Sequence, residues 1–219
     1  MPKKRVAILI SGRGANMAAL IEAAKSPDYP AEIAVVLSNR PNAAGLRRAS
    51  AEGIANAVVD HTKFGKDREA FERALQALLQ AHRIDIMCLA GFMRMLTPWL
   101  VSRWSGRMIN IHPALLPSFR GLHTHERALK EGVKIHGATV HFVVPEIDSG
   151  PIIAQAAVPV LDDDTPDTLA ARVLAAELHL YPLALGLVAS GKSSIAEHGA
   201  VHNALAVSPT ALLIVPDPR

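Results

Sequence analysis

The stretch KKRVAILISGRGANMAALIEAAK, residues 3–25, decides the reading of the fold. Val6 to Ile10 form an unbroken apolar run, as in a strand covered on both faces, and the helix that follows begins near Asn16. Between them SGRG supplies a glycine turn. A strand that runs into a glycine loop and then a helix is the opening of a βαβ unit.

Working outward, the same alternation repeats. AEIAVVLSNR predicts a strand over 32–38, NAAGLRRASAEGI a helix and ANAVVD a third short strand. DREAFERALQALLQAH has an apolar stripe opposite solvated charges, a core-facing amphipathic helix that ends at the strand in IDIMCLAGF. RMINIH predicts a strand over 107–111, broken by Pro113 and Pro117. GATVHFV and PIIAQAAVPV predict two more strands, followed by a long helix over 165–190. The pattern predicts an α/β fold: a doubly wound, mostly parallel sheet with helices on both faces. One domain is expected over 1–200, in which 1–100 is a mononucleotide-binding half and 101–200 extends the same sheet. Residues 201–219 read as a poorly patterned tail.

Composition narrows the function classes. The chain has 219 residues, half of them hydrophobic, and a net charge of +3. Aromatics are only 4% and no dense Lys/Arg stripe occurs, which argues against a nucleic-acid partner. The single cysteine, Cys88, lies in an apolar run and reads as a buried strand residue, and a lone cysteine fits a reducing cytoplasm. MPKKR precedes an apolar run too short for an export signal, and no stretch is expected to span a bilayer. A soluble cytoplasmic protein is expected.

One motif misleads. GLVASGKS, residues 186–193, fits the phosphate-loop pattern G-x-x-x-x-G-K-[ST]. That loop must follow a strand and precede a helix; here a helical pattern leads in and too little chain follows for a nucleotide-hydrolysing core. Gly191 is expected to stop the helix, with Lys192 near the negative end of its dipole.

Ligands of doubly wound sheets bind beyond the carboxyl ends of the strands. Four loops there carry polar residues: 11–16, 91–96, 110–121 and 145–151. Gly12 and Gly14 let the backbone approach an anion, and Asn16 can cap the helix or donate to a phosphate oxygen. Strand alternation puts Asn110 and His112 on one side, an amide donor beside a titratable imidazole. Asp148 in EIDSG, if it lies near His112, would fix one tautomer and raise the imidazole pKa. His123 and His125 are two apart and diverge on a helix, so no metal site is expected. DDDTPD, 162–167, reads as helix-capping chemistry.

Taken together, ISGRGAN, LAGFMRML, NIHPALLPSFRGLHTHERAL, HGATVHFV, EIDSGPII and ELHLYP resemble the phosphoribosylglycinamide formyltransferase family from about residue 5 to residue 193. The resemblance implies a Rossmann-like formyltransferase fold. It implies transfer of a formyl group from 10-formyltetrahydrofolate, a co-substrate, to the amine of glycinamide ribonucleotide, without a metal. It implies Asn110, His112 and Asp148 as the catalytic trio, acting on a tetrahedral intermediate. It puts the ribonucleotide on Gly12, Gly14, Ala15, Asn16, Met17 and Pro113, with Glu177 at the other end of that substrate. It lines the folate site with Arg68, Met93, Arg94, Met95, Leu96 and Asn110, and with Val144, Pro145, Glu146, Ile147 and Asp148. The second half then becomes the catalytic and folate-binding half. Two departures stand out: Ala114 replaces the family's usual Ser, and Arg13 and Ala15 occupy positions where small or polar residues are expected. Partners are expected to be small molecules alone, with monomer or homodimer left open.

Alternatives come from three classes. A methionyl-tRNA formyltransferase is expected to carry an added C-terminal domain, and a formyltetrahydrofolate hydrolase an N-terminal regulatory one. A non-catalytic nucleotide-binding module would not need Asn110, His112 and Asp148 together.

Overall fold

The computed structural model describes residues 2–196 and 199–202. Its first element, β1 (Lys4–Ile10), is buried from Val6 onward, and α1 (Ala15–Ala24) follows the glycine turn. Then come β2 (Ala31–Ser38), α2 (Ala44–Ala51), β3 (Asn56–Val58), a 3-10 turn (His61–Phe64), α3 (Arg68–Ala81) and β4 (Ile86–Leu89). The second half holds α4 (Pro98–Arg103), β5 (Met108–His112), α5 (Thr124–Glu131), β6 (Ile135–Phe142), β7 (Ile152–Pro159) and α6 (Pro166–Ala189). A hairpin of β8 (Ser193–Ala196) and β9 (Gly199–His202) closes the described chain. The expected tail from 201 begins inside β9, and 203–219 lie outside the described residues.

Seven strands form one sheet in the order β3-β2-β1-β4-β5-β6-β7. The first five are parallel; β6 pairs antiparallel with β5, and β7 with β6. The strand order reverses between β1 and β4, so their carboxyl ends open the crevice where such sheets take ligands. Alternation along β5 sends Ile109 and Ile111 into the core under α1 and α6, and Met108 into the core under α3 and α4.

The long helix is decided by caps. Asp164 takes a forked contact from Arg172, and Thr165 caps the helix by accepting from the Thr168 N–H, as capping chemistry in DDDTPD requires. At the other end Gly191 turns into the left-handed region (φ 72°), which ends the helical run that GLVASGKS continues. By length and hydropathy α6 could cross a membrane, contrary to the expectation that no stretch could. It lies on the sheet instead, with Leu169, Val173, Leu180, Tyr181, Ala184 and Leu185 buried. Tyr181 is fully buried, and its hydroxyl sits 3.0 Å from the Leu89 carbonyl and 3.1 Å from the Ile109 carbonyl, between β4 and β5. A single hydroxyl proton is shared by two strand carbonyls.

Tyr181→Phe removes that donor while keeping the ring. The expected loss is about 1–2 kcal/mol of unfolding free energy, the cost of stranding a buried acceptor, read from urea denaturation at constant m-value.

Candidate active site

Asn110 and His112 project from the same face of β5 as Met108, so the alternation read from MINIH brings both to one side. His112 is only 5% exposed. Its Nε2 lies 2.9 Å from the Phe119 carbonyl, which can only accept, so Nε2 carries a proton. Its Nδ1 lies 3.4 Å from Asp148 Oδ2. A ring protonated on both nitrogens meets both acceptors. Asp148 also accepts the Gly121 N–H at 2.8 Å, and its backbone is left-handed (φ 49°), a strained turn that folds the β6–β7 loop back over the end of β5. Asp148 therefore stands beside His112, which spacing along the chain left undecided.

Sequence reasoning missed His141. It sits directly across the β5–β6 ladder from Asn110. Its Nδ1 is 2.9 Å from the Phe142 carbonyl and so holds the proton; Nε2 then accepts from Asn110 Nδ2 at 3.2 Å. Burial lowers the His141 pKa, which favours this neutral form. One N–H of Asn110 is thereby engaged and the other is left for a ligand. The available signal was period two: in an apolar strand, Thr139 and His141 are polar residues two apart on one face.

Thr139, opposite His112, secures the loop beyond it. Its hydroxyl donates to the Ala114 carbonyl at 2.7 Å and accepts from the Leu116 N–H at 3.0 Å. Gln155 Nε2 adds a bond to the Leu116 carbonyl at 2.9 Å. Ala114 is fully buried, so a hydroxyl at that position would need an internal partner and the methyl does not. Pro113, half-buried, turns the chain out of β5.

On the α1 side, Gly14 occupies the position before the helix in the left-handed region (φ 73°) and its carbonyl accepts the Ala18 N–H. The N–H groups of Ala15, Asn16 and Met17 open the helix without intrahelical partners, the usual anion-facing arrangement. Asn16 does not cap the helix: its side chain donates to Glu177 Oε2 at 2.6 Å. Glu177 is therefore adjacent to the glycine turn. A ligand with its phosphate on that turn would meet the carboxylate with hydroxyl donors, since two anions repel. The Met17 side chain is fully buried in the core, which limits Met17 to its backbone N–H. Gly12 leaves its carbonyl to the Gly45 N–H at 3.0 Å. A Cβ at Gly45 would stand 2.5 Å from Ile10 Cδ1, so this close approach of α2 was another feature with no local signal.

The remaining predicted residues lie on the 91–96 loop, on the β6–β7 loop and at the start of α3. Met93 is 63% exposed, Met95 58% and Ile147 54%, values unusual for such side chains outside a binding surface. Ser11 accepts the Met93 N–H at 2.7 Å and ties the 91–96 loop to the end of β1. Leu96 packs on the core under α3, and Thr97 is clamped by the buried Glu72 carboxylate. The Arg94 guanidinium lies 5.9 Å from the Phe71 ring, on the first turn of the helix that Arg68 opens. Val144 is half-buried, and Pro145 and Glu146 are exposed. His123 and His125 do diverge: His123 is exposed beside Glu126, and His125 turns inward onto His136. Among the described residues, no three metal-ligating side chains converge.

With this geometry in place, residues 4–185 match the family model described as formyl transferase. The human trifunctional purine biosynthetic protein adenosine-3 is 49% identical over 91% of this chain, which spans 20% of that protein's length. The phosphoribosylglycinamide formyltransferase of Escherichia coli is 43% identical, over 89% of this chain and 92% of its own. A solved structure of the phosphoribosylglycinamide formyltransferase of Brucella melitensis is 54% identical, with a TM-score of 0.82 over 86% of this chain and 97% of that one.

Burial raises the Glu177 pKa, with the Asn16 bond acting against that shift. A carboxyl whose folded value exceeds its unfolded one costs stability once the unfolded chain can ionise. That loss grows as pH rises from about 4.3, the ordinary glutamate value, through the folded value. Glu177→Gln should abolish this component, giving a flatter pH dependence of the urea midpoint in mildly acid solution and a higher midpoint at neutrality.

Proposed function

The chain belongs to the formyl transferase family, and on that premise we propose that it moves a formyl group from 10-formyltetrahydrofolate to the amine of glycinamide ribonucleotide. The observation that carries this reading is the convergence of Asn110, His112 and Asp148 at the end of one strand, with His112 almost wholly buried. The bacterial and human relatives support the choice of acceptor, since formyl transfer to phosphoribosylglycinamide or purine biosynthesis is what they are named for.

In this reading the ribonucleotide phosphate rests on the N–H groups of Gly14, Ala15 and Asn16 at the start of α1. The sugar hydroxyls donate to Glu177 and to Asn16 Oδ1, a buried acceptor with no partner among the described residues. The folate ring system lies against Met93, Met95, Leu96, Val144 and Ile147, and Arg68 and Arg94 take its carboxylates.

The amine nitrogen attacks the formyl carbon, and the carbonyl electron pair moves onto oxygen. The free N–H of Asn110 meets that negative oxygen, and so does the Nδ1 proton of His112, the one that the Phe119 carbonyl does not hold. The former amine then loses a proton while the folate nitrogen gains one as the carbon–nitrogen bond to folate breaks. Asp148, 3.4 Å from the ring, balances the imidazolium and supplies a carboxylate through which the proton can pass. His141, neutral and bonded to Asn110, orients the amide without competing for the charge. The work is assigned to the cytoplasm and to small-molecule partners.

The test is a formyl-transfer assay with and without the ribonucleotide, followed by release of tetrahydrofolate. Turnover only with the ribonucleotide is expected; equal turnover without it would make the chain a hydrolase, and none in either a binding module. Asn110→Ala should lower kcat by about 10²–10³ and His112→Ala by about 10²–10⁴, with ribonucleotide binding retained in calorimetry.

A further inference from the structure

The end of the sheet opposite the proposed chemistry carries a cleft of about 430 Å³, at the amino ends of β4 and β5. Leu79, Ile84 and Trp104, all buried, give it an apolar lining. Three exposed arginines border it: Arg83 just after α3, Arg103 at the end of α4 and Arg107 just before β5. Among the described residues none of the three is paired with a carboxylate, whereas Glu69 takes Arg73 and Asp164 takes Arg172. Their one side-chain hydrogen bond among those residues runs from Arg107 Nη2 to the Arg103 carbonyl, at 2.9 Å. Two of the three are held on indoles. Arg103 lies 4.7 Å from the centre of the Trp99 ring, and Arg107 4.8 Å from that of Trp104. Trp104 is itself fixed, its Nε1 donating to Gln76 Oε1 at 2.8 Å.

Stacking on an indole holds a guanidinium by its face and leaves its N–H edge free. Such an edge is ordered before a ligand arrives, so binding gives up less side-chain freedom. Three like charges around one cleft repel one another, and its low-dielectric walls concentrate their field. Charge kept only for solubility is served by both signs interspersed, as with Arg73 and Glu69 on α3. Arg83 also sits in the left-handed region (φ 54°), a turn that glycine would make without strain. The chain holds a cation there all the same. A carboxylate would offer these three forks two oxygens and a single charge. A phosphate group offers three terminal oxygens and close to two charges, the better match. The cleft is larger than a phosphate group, and Leu79, Ile84 and Trp104 leave an apolar seat for the body of the molecule.

We propose that this cleft is a second binding site, for a phosphorylated small molecule whose phosphate is held by Arg83, Arg103 and Arg107. The site is separate from the glycine turn of α1, and it does not depend on the formyl-transfer reading. The two tryptophans of the chain, Trp99 and Trp104, both stack on its arginines, so intrinsic fluorescence reports on this cleft. The experiment titrates the full-length protein with pyrophosphate, ATP and citrate at one low ionic strength, following that fluorescence. Pyrophosphate and ATP are expected to saturate the change with midpoints below about 1 mM. Both doing so supports the site, and the tighter of the two tells whether the apolar lining contributes. Citrate, which has carboxylates alone, should need about tenfold more. Arg83→Gln removes the cation that stacks on neither indole; it should raise the pyrophosphate midpoint about tenfold and leave the starting spectrum unchanged. Replacing Arg103 and Arg107 together by Gln should abolish the saturable change. No saturation by about 10 mM with either phosphate, citrate binding equal to pyrophosphate, or an unmoved midpoint in Arg83→Gln overturns the proposal. So does a fluorescence change that follows protein concentration instead of anion, which would make this face a contact between two copies of the chain. If the double variant does not fold, Arg83→Gln and the citrate comparison decide.

Discussion

The antiparallel register of β6 on β5 is the constraint on which the site depends. It sets His141 opposite Asn110 and Thr139 opposite His112. From the first pairing comes the orientation of the Asn110 amide, and from the second the anchorage of residues 114–116. Because β6 runs backwards, its exit loop starts beside Ile109 and must travel back along the strand end, which brings Asp148 to His112. A slip of one residue would turn every one of these side chains to the other face of the sheet.

A second constraint ties this strand end to the rest of the crevice. Helix α6 crosses one face of the sheet, placing Tyr181 under the carbonyls of β4 and β5 and Glu177, one turn earlier, against Asn16. One helix thus registers the glycine turn of α1 against the two central strands β4 and β5. Buried polar groups do this more selectively than apolar contact, because a misplaced hydroxyl or carboxylate loses its partner and retains its desolvation cost. The two opened sides of the crevice differ accordingly. The α1 side is polar, with Asn16 bonded to Glu177; the loops after β4 and β6 are apolar and exposed at Met93, Met95 and Ile147. The proposed reaction puts the sugar phosphate on the first side and the folate ring on the second.

Much of this was legible along the chain because its causes are local. The apolar run before SGRG, the stripe in α3, the caps around Asp164 and the stop at Gly191 each depend on residues within a turn or two. Asn110 and His112 were legible together because strand alternation needs only their spacing. Of the two roles that the sequence offered for Asn16, the cap is not taken: its side chain bonds Glu177, 161 residues away, and no periodicity reports so distant a contact. Met17 was named with its neighbours in the turn, yet the helix geometry sends its side chain into the core. Short α4 and the β8–β9 hairpin left too few residues to show a period.

By itself, the sequence determined the alternation of strands and helices, the mostly parallel sheet and the four loops from which a site is built. It also carried a combination of motifs that marks the family, because motif order and spacing are properties of the chain. Only the tertiary structure decided which loop residues meet: Asp148 with His112, His141 with Asn110, Glu177 with Asn16, and His136 behind Phe119. Those pairings depend on strand direction, register and the path of returning loops, which arise from packing the whole sheet at once.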